Sequence, residues 1–97
     1  MEIKAFQKLI KDTYYAKDMA RGTPATFIWF MEEVGELATA LREGTQEEKE
    51  GEFADVLAWL TTLANINNID MEKSLAKYQK GCCGCGTIPC ACIGEKP

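Results

Sequence analysis

Helical periodicity, broken twice by glycine, constrains this chain more than any other feature of its sequence. Apolar residues recur every three or four positions up to about residue 80, which is the spacing of one face of a helix. Gly22 with Pro24 breaks the pattern once, and Gly44 with Thr45 breaks it again. No segment before residue 81 alternates between apolar and polar residues as a strand does, so the sequence predicts an all-α fold.

The second break is short, so the helices on either side of it are expected to form a central antiparallel hairpin. The earlier helix is predicted over residues 24–43, and the later one begins at Thr45, where Glu48 completes a capping-box spacing. Each helix carries one apolar face that is expected to form the core. These faces consist of Phe27, Phe30, Val34, Leu37, Ala38 and Leu41 in the earlier helix and of Phe53, Val56, Leu57, Leu60, Leu63 and Ala64 in the later one.

Two further helices are expected to pack beside the hairpin. The last runs from about residue 71 to residue 79 and is capped by Asp70, and its Leu75 and Tyr78 are expected to face inward. The first covers residues 2–20. Its apolar face consists of Ile3, Phe6, Leu9, Ile10 and Tyr14.

The composition is that of a soluble protein with one main domain. The chain has 97 residues, is 46% hydrophobic and 27% charged, and carries a formal net charge of −4, which disfavours a nucleic-acid polymer as its partner. No apolar run reaches the ~20 residues that cross a membrane, and the stretch MEIKAFQKLIKD lacks the apolar segment of a signal peptide. We therefore expect a cytoplasmic protein without a membrane partner. Histidine is absent, so any chemistry must use carboxylates, thiols, lysines or a bound metal ion.

Acidic residues border the apolar faces of both hairpin helices. Glu33 and Glu36 lie one turn apart on the earlier helix, and Glu52 and Asp55 repeat that spacing on the later one. Measured along a helix, Glu36 lies about 12 Å before the turn and Glu52 about 10.5 Å after it. An antiparallel hairpin would therefore bring the four carboxylates to one level beside the seam.

Four neighbouring carboxylates cannot all stay ionised without a counter-charge. A hard divalent cation supplies that charge, and Mg²⁺ prefers oxygen ligands together with waters and substrate phosphates. The acids therefore predict a magnesium site, and a solvated acidic surface is the alternative interpretation.

The acidic motif resembles that of a known enzyme family. EEVGE, residues 32–36, is followed after fifteen residues by EFAD, residues 52–55, which resembles the E-x-x-E…E-x-x-D signature of the MazG-like nucleoside triphosphate pyrophosphohydrolases. The surrounding sequence is similar to that family over most of residues 18–80. The resemblance implies an all-α chain that associates with other copies. It also implies that Mg²⁺, or Mn²⁺ in its place, sits on Glu33, Glu36, Glu52 and Asp55.

The same resemblance implies a reaction. A nucleoside triphosphate would be cut between its α and β phosphates to give a nucleoside monophosphate and pyrophosphate, in the role of removing surplus or non-standard triphosphates. Glu32 matches an extra leading acid of the family pattern and would support the metal ligands or help to activate water. Because two helices cannot enclose such a site alone, we expect a homodimer or a tetramer of two dimers.

Two tryptophans are expected at one end of the acids. Trp29 lies one turn before Glu33, and Trp59 lies one turn after Asp55. A base could stack on the indoles while its phosphates reach the metal. A place in the core or at a subunit interface is the alternative for both.

Three polar residues are further candidates for substrate contacts. Arg21 could clamp a phosphate, and Lys77 could bind one in a region where the related enzymes often have a basic residue. Asn65 could contact a base edge. The alternatives are simple solvation for Arg21 and Lys77, and helix-end capping for Asn65.

The composition changes sharply at residue 81. Residues 81–97 contain five cysteines, four glycines and two prolines and show no helical period. Their spacing, C-x-x-C followed by C-x-C, predicts one tetrahedral zinc site, although the second pair is closer than usual. Disulfides and free thiols are the alternatives. The tail resembles the Cys-rich tails of some pyrophosphohydrolase relatives, and its predicted zinc ligands are Cys82, Cys85, Cys90 and Cys92.

The sequence therefore predicts a catalytic domain over residues 1–80 and a Cys-rich tail over residues 81–97. A Mg²⁺-dependent pyrophosphohydrolase is the first functional hypothesis. The second is a non-enzymatic metal-binding or interaction module centred on the tail. A di-metal carboxylate bundle is a third, and the lack of histidine counts against it.

Overall fold

The computed structural model describes residues 1–96, and no strand occurs among them. The all-α fold class is therefore confirmed for the described part of the chain. Pro97, the last residue of the predicted tail, lies outside it. No helix within residues 1–96 is both long enough and apolar enough to span a bilayer. The helices are α1 (Ile3–Arg21), α2 (Thr23–Glu43), α3 (Gln46–Ile66) and a short α4 (Met71–Ser74), which continues as a 3₁₀ turn, Leu75–Tyr78.

The α2–α3 hairpin turns through Gly44 and Thr45, as predicted. A Cβ atom on Gly44 would lie 2.7 Å from the carbonyl oxygen of Ala40, so only glycine fits where the chain leaves α2. The Glu48 backbone N–H donates to Thr45 Oγ1 over 3.2 Å, and the Thr45 N–H donates to Glu48 Oε1 over 3.0 Å. The predicted capping box is confirmed, and it fixes the residue at which α3 begins.

The break between α1 and α2 is a single residue. Gly22 has φ of +81°, a conformation that side chains with a Cβ atom rarely adopt, and its N–H donates to the Asp18 carbonyl over 3.0 Å. Pro24 follows in the first turn of α2, where its missing N–H is no loss. The chain can therefore reverse sharply here, and α1 returns alongside α3.

Polar contacts hold α1 to α3. Thr62 Oγ1 donates to the buried carboxylate of Asp18 over 3.0 Å. At the other end of α1, Gln7 Nε2 donates to Asn65 Oδ1 over 3.0 Å, and the Met71 N–H donates to Gln7 Oε1 over 2.9 Å. These contacts place α1 along α3 and fix the start of α4.

The apolar faces predicted for the hairpin are only partly buried. Phe30, Val34 and Leu37 of α2 are half-buried, as are Val56, Leu63 and Ala64 of α3. The outer edge of each face is exposed, so neither face is wholly buried within one chain. The exposed residues of these faces and the neighbouring Met31 form a surface that we call the apolar stripe. It consists of Phe27, Met31, Ala38 and Leu41 of α2 and Phe53, Leu57 and Leu60 of α3.

The apolar faces of α2 and α3 stay partly exposed because few helices are available to cover them. Each of the two hairpin helices has a half-buried edge of its apolar face beside the acids, and α2 and α3 pack together along these edges. α1 covers a different side of α3. No described element remains to cover the outer edges. In the first helix, Ile10 is buried as predicted, whereas Leu9 and Tyr14 are each 48% exposed.

The fourth helix differs most from its prediction. Asp70 caps it as expected, because its Oδ1 accepts from the Lys73 N–H over 3.3 Å. The α-helix ends at Ser74, however, and the chain tightens into the 3₁₀ turn. Leu75 and Tyr78 are 52% and 55% exposed, so the expectation that they face inward is wrong.

The capping box should contribute measurably to stability. Thr45→Ala removes the side-chain acceptor of the Glu48 N–H and is expected to lower the free energy of unfolding by about 1 kcal/mol. Thr45→Ser keeps the hydroxyl and should stay close to wild type. Urea unfolding at one fixed protein concentration measures both, and an unchanged midpoint for Thr45→Ala would contradict the role of the cap.

Candidate active site

Three of the four predicted acids converge at the hairpin seam. One carboxylate oxygen from each of Glu33, Glu36 and Glu52 lies within 4.8 Å of the other two. We call these three residues the acid cluster. Two helical turns on opposite sides of Gly44 and Thr45 supply them, as the spacing in the sequence predicts. The hairpin therefore gathers carboxylates that would otherwise separate.

The described part of the chain supplies no counter-charge to the acid cluster. Within residues 1–96, no lysine or arginine forms an ion pair with any of its members. Glu33 Oε2 and Glu52 Oε2 are buried from solvent and have no hydrogen-bond partner among the described residues. Buried carboxylate oxygens are costly to leave unpaired. Such atoms are what a metal-binding site presents before the ion is added.

The proton affinity of the acid cluster reflects this crowding. Burial, followed by the charge of Glu36, a side-chain hydrogen bond with Glu36 and then the charges of Asp55 and Glu52, raises the pKa of Glu33 from 4.5 to about 7. Burial and the charges of Glu36 and Asp55 also raise the pKa of Glu52. A cation would reverse both effects, because it favours the ionised form.

The donor set fits a hard divalent cation. All the converging atoms are carboxylate oxygens, which suit Mg²⁺, Mn²⁺ or Ca²⁺, and no sulfur or imidazole lies among them. The two unpaired buried oxygens belong to different helices, so one ion would bridge α2 and α3.

The fourth predicted metal ligand, Asp55, and the additional predicted acid, Glu32, lie outside the acid cluster. Asp55 is exposed, and its charge still acts on Glu33 and Glu52. It lines a groove between α1 and α3 instead. Glu32 is exposed on α2 and contributes no atom to the group of converging oxygens.

The two predicted tryptophans stack on each other. The ring centroids of Trp29 and Trp59 are 6.2 Å apart, with 22° between the ring planes. The Arg21 guanidinium lies over the Trp59 ring, 4.9 Å from its centroid. Arg21 Nη1 also contacts Asp18 Oδ1 over 3.1 Å and Thr26 Oγ1 over 3.3 Å. The result is a column of one cation and two indoles at the end of the hairpin.

Asp18 is the residue that sequence reasoning missed. It is 3% exposed, pairs with Arg21 and accepts from Thr62 Oγ1 over 3.0 Å. Buried aspartate usually has such a partner. The only signal in the sequence was its position one helical turn before Arg21, which is a common spacing on any helix surface.

The other two predicted contact residues lie in different surroundings. Asn65 is buried, and its side chain bonds to Gln7 through both of its polar atoms. Lys77 lies in the 3₁₀ turn, where its Nζ is 5.3 Å from the centroid of the Tyr78 ring. Neither residue lines the two cavities that border the acids.

Cavities open on both sides of the acids. One of about 370 Å³ is lined by Glu36, Glu52 and the turn at Gly44. The other, also about 370 Å³, lies between α1 and α3 and is lined by Arg21, Asp55 and Trp59 among others. Both volumes lie in the range of small-molecule sites. A cavity of about 550 Å³ beside α4 contains no member of the acid cluster, so we do not associate it with the chemistry.

The sequence of this hairpin matches a known domain. Residues 22–81 match the family profile of the MazG nucleotide pyrophosphohydrolase domain, which is more than half of the 97-residue chain. The chain belongs to the MazG nucleotide pyrophosphohydrolase family. The resemblance seen in EEVGE and EFAD is therefore confirmed. A comparison with curated proteins found no match.

The matched region of this MazG domain contains the acid cluster and both tryptophans. It begins after α1 and ends at residue 81, so the match leaves out Arg21 and the cysteines. Four of those cysteines form a second group in which the Sγ atoms all lie within 4.8 Å of one another, close enough to hold a metal ion. That group consists of Cys82, Cys85, Cys90 and Cys92.

The raised pKa of Glu33 predicts how stability depends on pH without metal. Between pH 4.5 and about 7, the folded protein keeps a proton on Glu33 that the unfolded chain has lost. Stability in EDTA should therefore fall as the pH rises through this window, and Glu52 should contribute in the same direction. Glu33→Gln should reduce this fall, which thermal unfolding at several pH values would measure.

Glu32→Gln, on the neighbouring exposed acid, is the matched control and should keep the wild-type pH dependence. An unaltered slope for Glu33→Gln would show that its carboxylate is not the buried, crowded group described above.

Proposed function

We propose that this protein is a Mg²⁺-dependent enzyme that hydrolyses nucleoside triphosphates to nucleoside monophosphates and pyrophosphate. The observation that carries the proposal is the acid cluster, with its two buried and unpaired oxygens, in a chain of the MazG family. Removal of surplus or non-standard triphosphates is the role that we assign to this activity. The second hypothesis from the sequence, a non-enzymatic module centred on the tail, gains no support from the match to an enzyme family.

The acids divide into two groups under this proposal. Glu33, Glu36 and Glu52 would hold the ion, and Asp55 would complete its ligands from the edge of the groove. The bound Mg²⁺ supplies positive charge that offsets the charge of the phosphates. Mn²⁺ has similar ligand preferences and should replace it.

Proton transfer would also fall to a carboxylate. The chain has no histidine, so an acid that is not fully occupied by the metal must accept the proton of the attacking water. Glu32 is the candidate, because it is exposed, contributes no atom to the acid cluster and is not assigned to the ion.

The indole column would receive the nucleotide beside the metal. Trp29 is 46% exposed, so part of its side chain is open to contact with a base. Arg21 Nη1 makes both of the contacts to Asp18 and Thr26, which leaves Nε and Nη2 for substrate oxygens. The positions of Asn65 and Lys77 support structural and solvated roles, respectively, rather than the substrate contacts predicted for them.

Hydrolysis is assigned to residues 1–80. No cysteine lines either cavity beside the acids, so the tail, including its predicted zinc ion, is treated as a separate unit over residues 81–97. A cytoplasmic location stays a prediction from the sequence.

We also propose that the enzyme is a homodimer or a tetramer of two dimers. The apolar stripe supports this, since side chains such as Phe27 and Phe53 are 50% and 56% exposed on neighbouring helices. Successive residues of the stripe on α2 are four, seven and three positions apart. Such spacing is typical of helices that pack against other helices. If the apolar stripes of two copies of the chain packed against each other, both stripes would be buried.

The activity is tested with a panel of nucleoside triphosphates. The wild-type enzyme should release pyrophosphate and the monophosphate in Mg²⁺ and neither in EDTA. Glu36→Gln should lower kcat/KM by at least about 100-fold, because even the outer partners of metal ligands typically matter by about 10- to 100-fold. Release of single phosphate, or of nothing from any triphosphate, would contradict the proposal.

Glu47→Gln is the matched control for that experiment. Glu47 lies exposed in the first turn of α3 and lines neither cavity beside the acids, so its turnover should equal that of wild type. Circular dichroism should show the same helical content in both variants.

The oligomeric state is tested by light scattering on a sizing column. Wild type should have at least twice the 10.8 kDa mass of one chain. Phe53→Glu places a charge on the apolar stripe and should shift the protein towards the monomer. Ile28→Glu is the control, because Ile28 lies about 100° around α2 from Phe27 and is 69% exposed off the stripe. A monomeric wild type would refute the assembly.

A further inference from the structure

We propose that the four-cysteine group in the tail is a structural zinc site. One Zn²⁺ would be held by the thiolates of Cys82, Cys85, Cys90 and Cys92 in a closed tetrahedral arrangement. This inference is independent of the proposed hydrolysis, because no residue of the acid cluster takes part in it.

The spacing of the sulfur atoms fits one tetrahedral ion. All four Sγ atoms lie within 4.8 Å of one another, and Cys82 Sγ is 3.7 Å from Cys92 Sγ. With Zn–S bonds of about 2.3 Å, the edge of a regular tetrahedron of sulfurs is about 3.8 Å. The loop therefore needs only a small adjustment to close on zinc.

Backbone N–H groups point at three of the four sulfurs. The Gly84 N–H donates to Cys82 Sγ, the Ala91 N–H to Cys85 Sγ and the Cys92 N–H to Cys90 Sγ, each over 3.3 Å. Such bonds favour the thiolate, which is the form that binds metal. The backbone is thus arranged for charged sulfur, as in a metal site.

The turn that carries the first pair of cysteines closes on itself. The Gly86 N–H donates to the Cys82 carbonyl over 2.7 Å, and the Cys82 N–H donates to the Thr87 carbonyl over 3.1 Å. Gly86 has φ of +73°, which glycine adopts readily. This geometry directs the Cys82 and Cys85 side chains to the same point.

The tail has no apolar core to hold it in this shape. Ile88 and Ile93, its isoleucines, are 83% and 101% exposed. A segment this short needs a metal or covalent links to keep one conformation. All five cysteines are free thiols in the structure, and four of them converge where one metal ion would link them.

Zinc suits these ligands better than the hard divalent ions Mg²⁺ and Ca²⁺ do. Four thiolates form a soft, tetrahedral donor set, which selects Zn²⁺ over Mg²⁺ or Ca²⁺. All four positions are protein ligands, so none is open for substrate, and the role is structural. Cys83 is exposed and stays outside the group, which makes it a control within the same segment.

The full-length protein provides the test. Elemental analysis and native mass spectrometry of protein purified without added metal should give one zinc per chain. Cys85→Ser and Cys90→Ser should retain less than a tenth of it, whereas Cys83→Ser should retain one equivalent. Replacement of zinc by Co²⁺ should give the absorption of tetrahedral cobalt thiolate in wild type and in Cys83→Ser alone.

Hydrogen exchange keeps the proposal testable if a variant does not fold. Removing zinc from wild type with a zinc-selective chelator, in a constant excess of Mg²⁺, should speed amide exchange at least tenfold in residues 82–92 and leave α2 and α3 unchanged. Zinc-free wild-type protein with four intact thiols, a mass that shows disulfides, iron in place of zinc, or unchanged exchange after chelation would each overturn the proposal.

Discussion

Repulsion between carboxylates at the α2–α3 seam is the interaction on which the chemistry of this protein depends. Folding brings oxygens of Glu33, Glu36 and Glu52 within 4.8 Å of one another, and the described residues offer no positive charge in return. The hairpin must therefore hold together against its own acids. The glycine turn, the capping box at Thr45 and the half-buried apolar edges of both helices supply that stability. A divalent ion would turn the repulsion into a link between the helices.

The rest of the chain is arranged around this seam. α1 packs on α3 through buried polar contacts such as that between Asp18 and Thr62, and the Asp18–Arg21 pair within α1 holds a cation over the Trp59 ring. This places a charged and aromatic surface beside the groove that Asp55 lines. The apolar stripe lies along the other edge of the same helices, so association and catalysis would use different sides of one hairpin. The cysteine tail would be stabilised by its own metal ion and not by contacts with either side of the hairpin.

Much of the fold and of the acid cluster was predictable from the sequence, because both depend on local spacing. Gly44, Thr45 and Glu48 determine the turn, and positions counted from that turn bring Glu36 and Glu52 together. The depth of burial was not predictable in this way. The apolar face of a helix has the same sequence pattern whether it packs within a chain or against another copy. Phe53 and Leu57 were expected in the core for this reason. Asp18 was missed because its role comes from contacts 44 residues away in α3.

The position of a bound metal ion tests the central claim most directly. Crystals grown with Mn²⁺ and measured at a wavelength where manganese scatters anomalously would locate the ion without reference to activity. The account predicts one peak at the hairpin seam, about 2 to 2.5 Å from oxygens of Glu33, Glu36 and Glu52. Carboxylates that are spread apart in such crystals, or a peak that lies elsewhere with the seam empty, would contradict it.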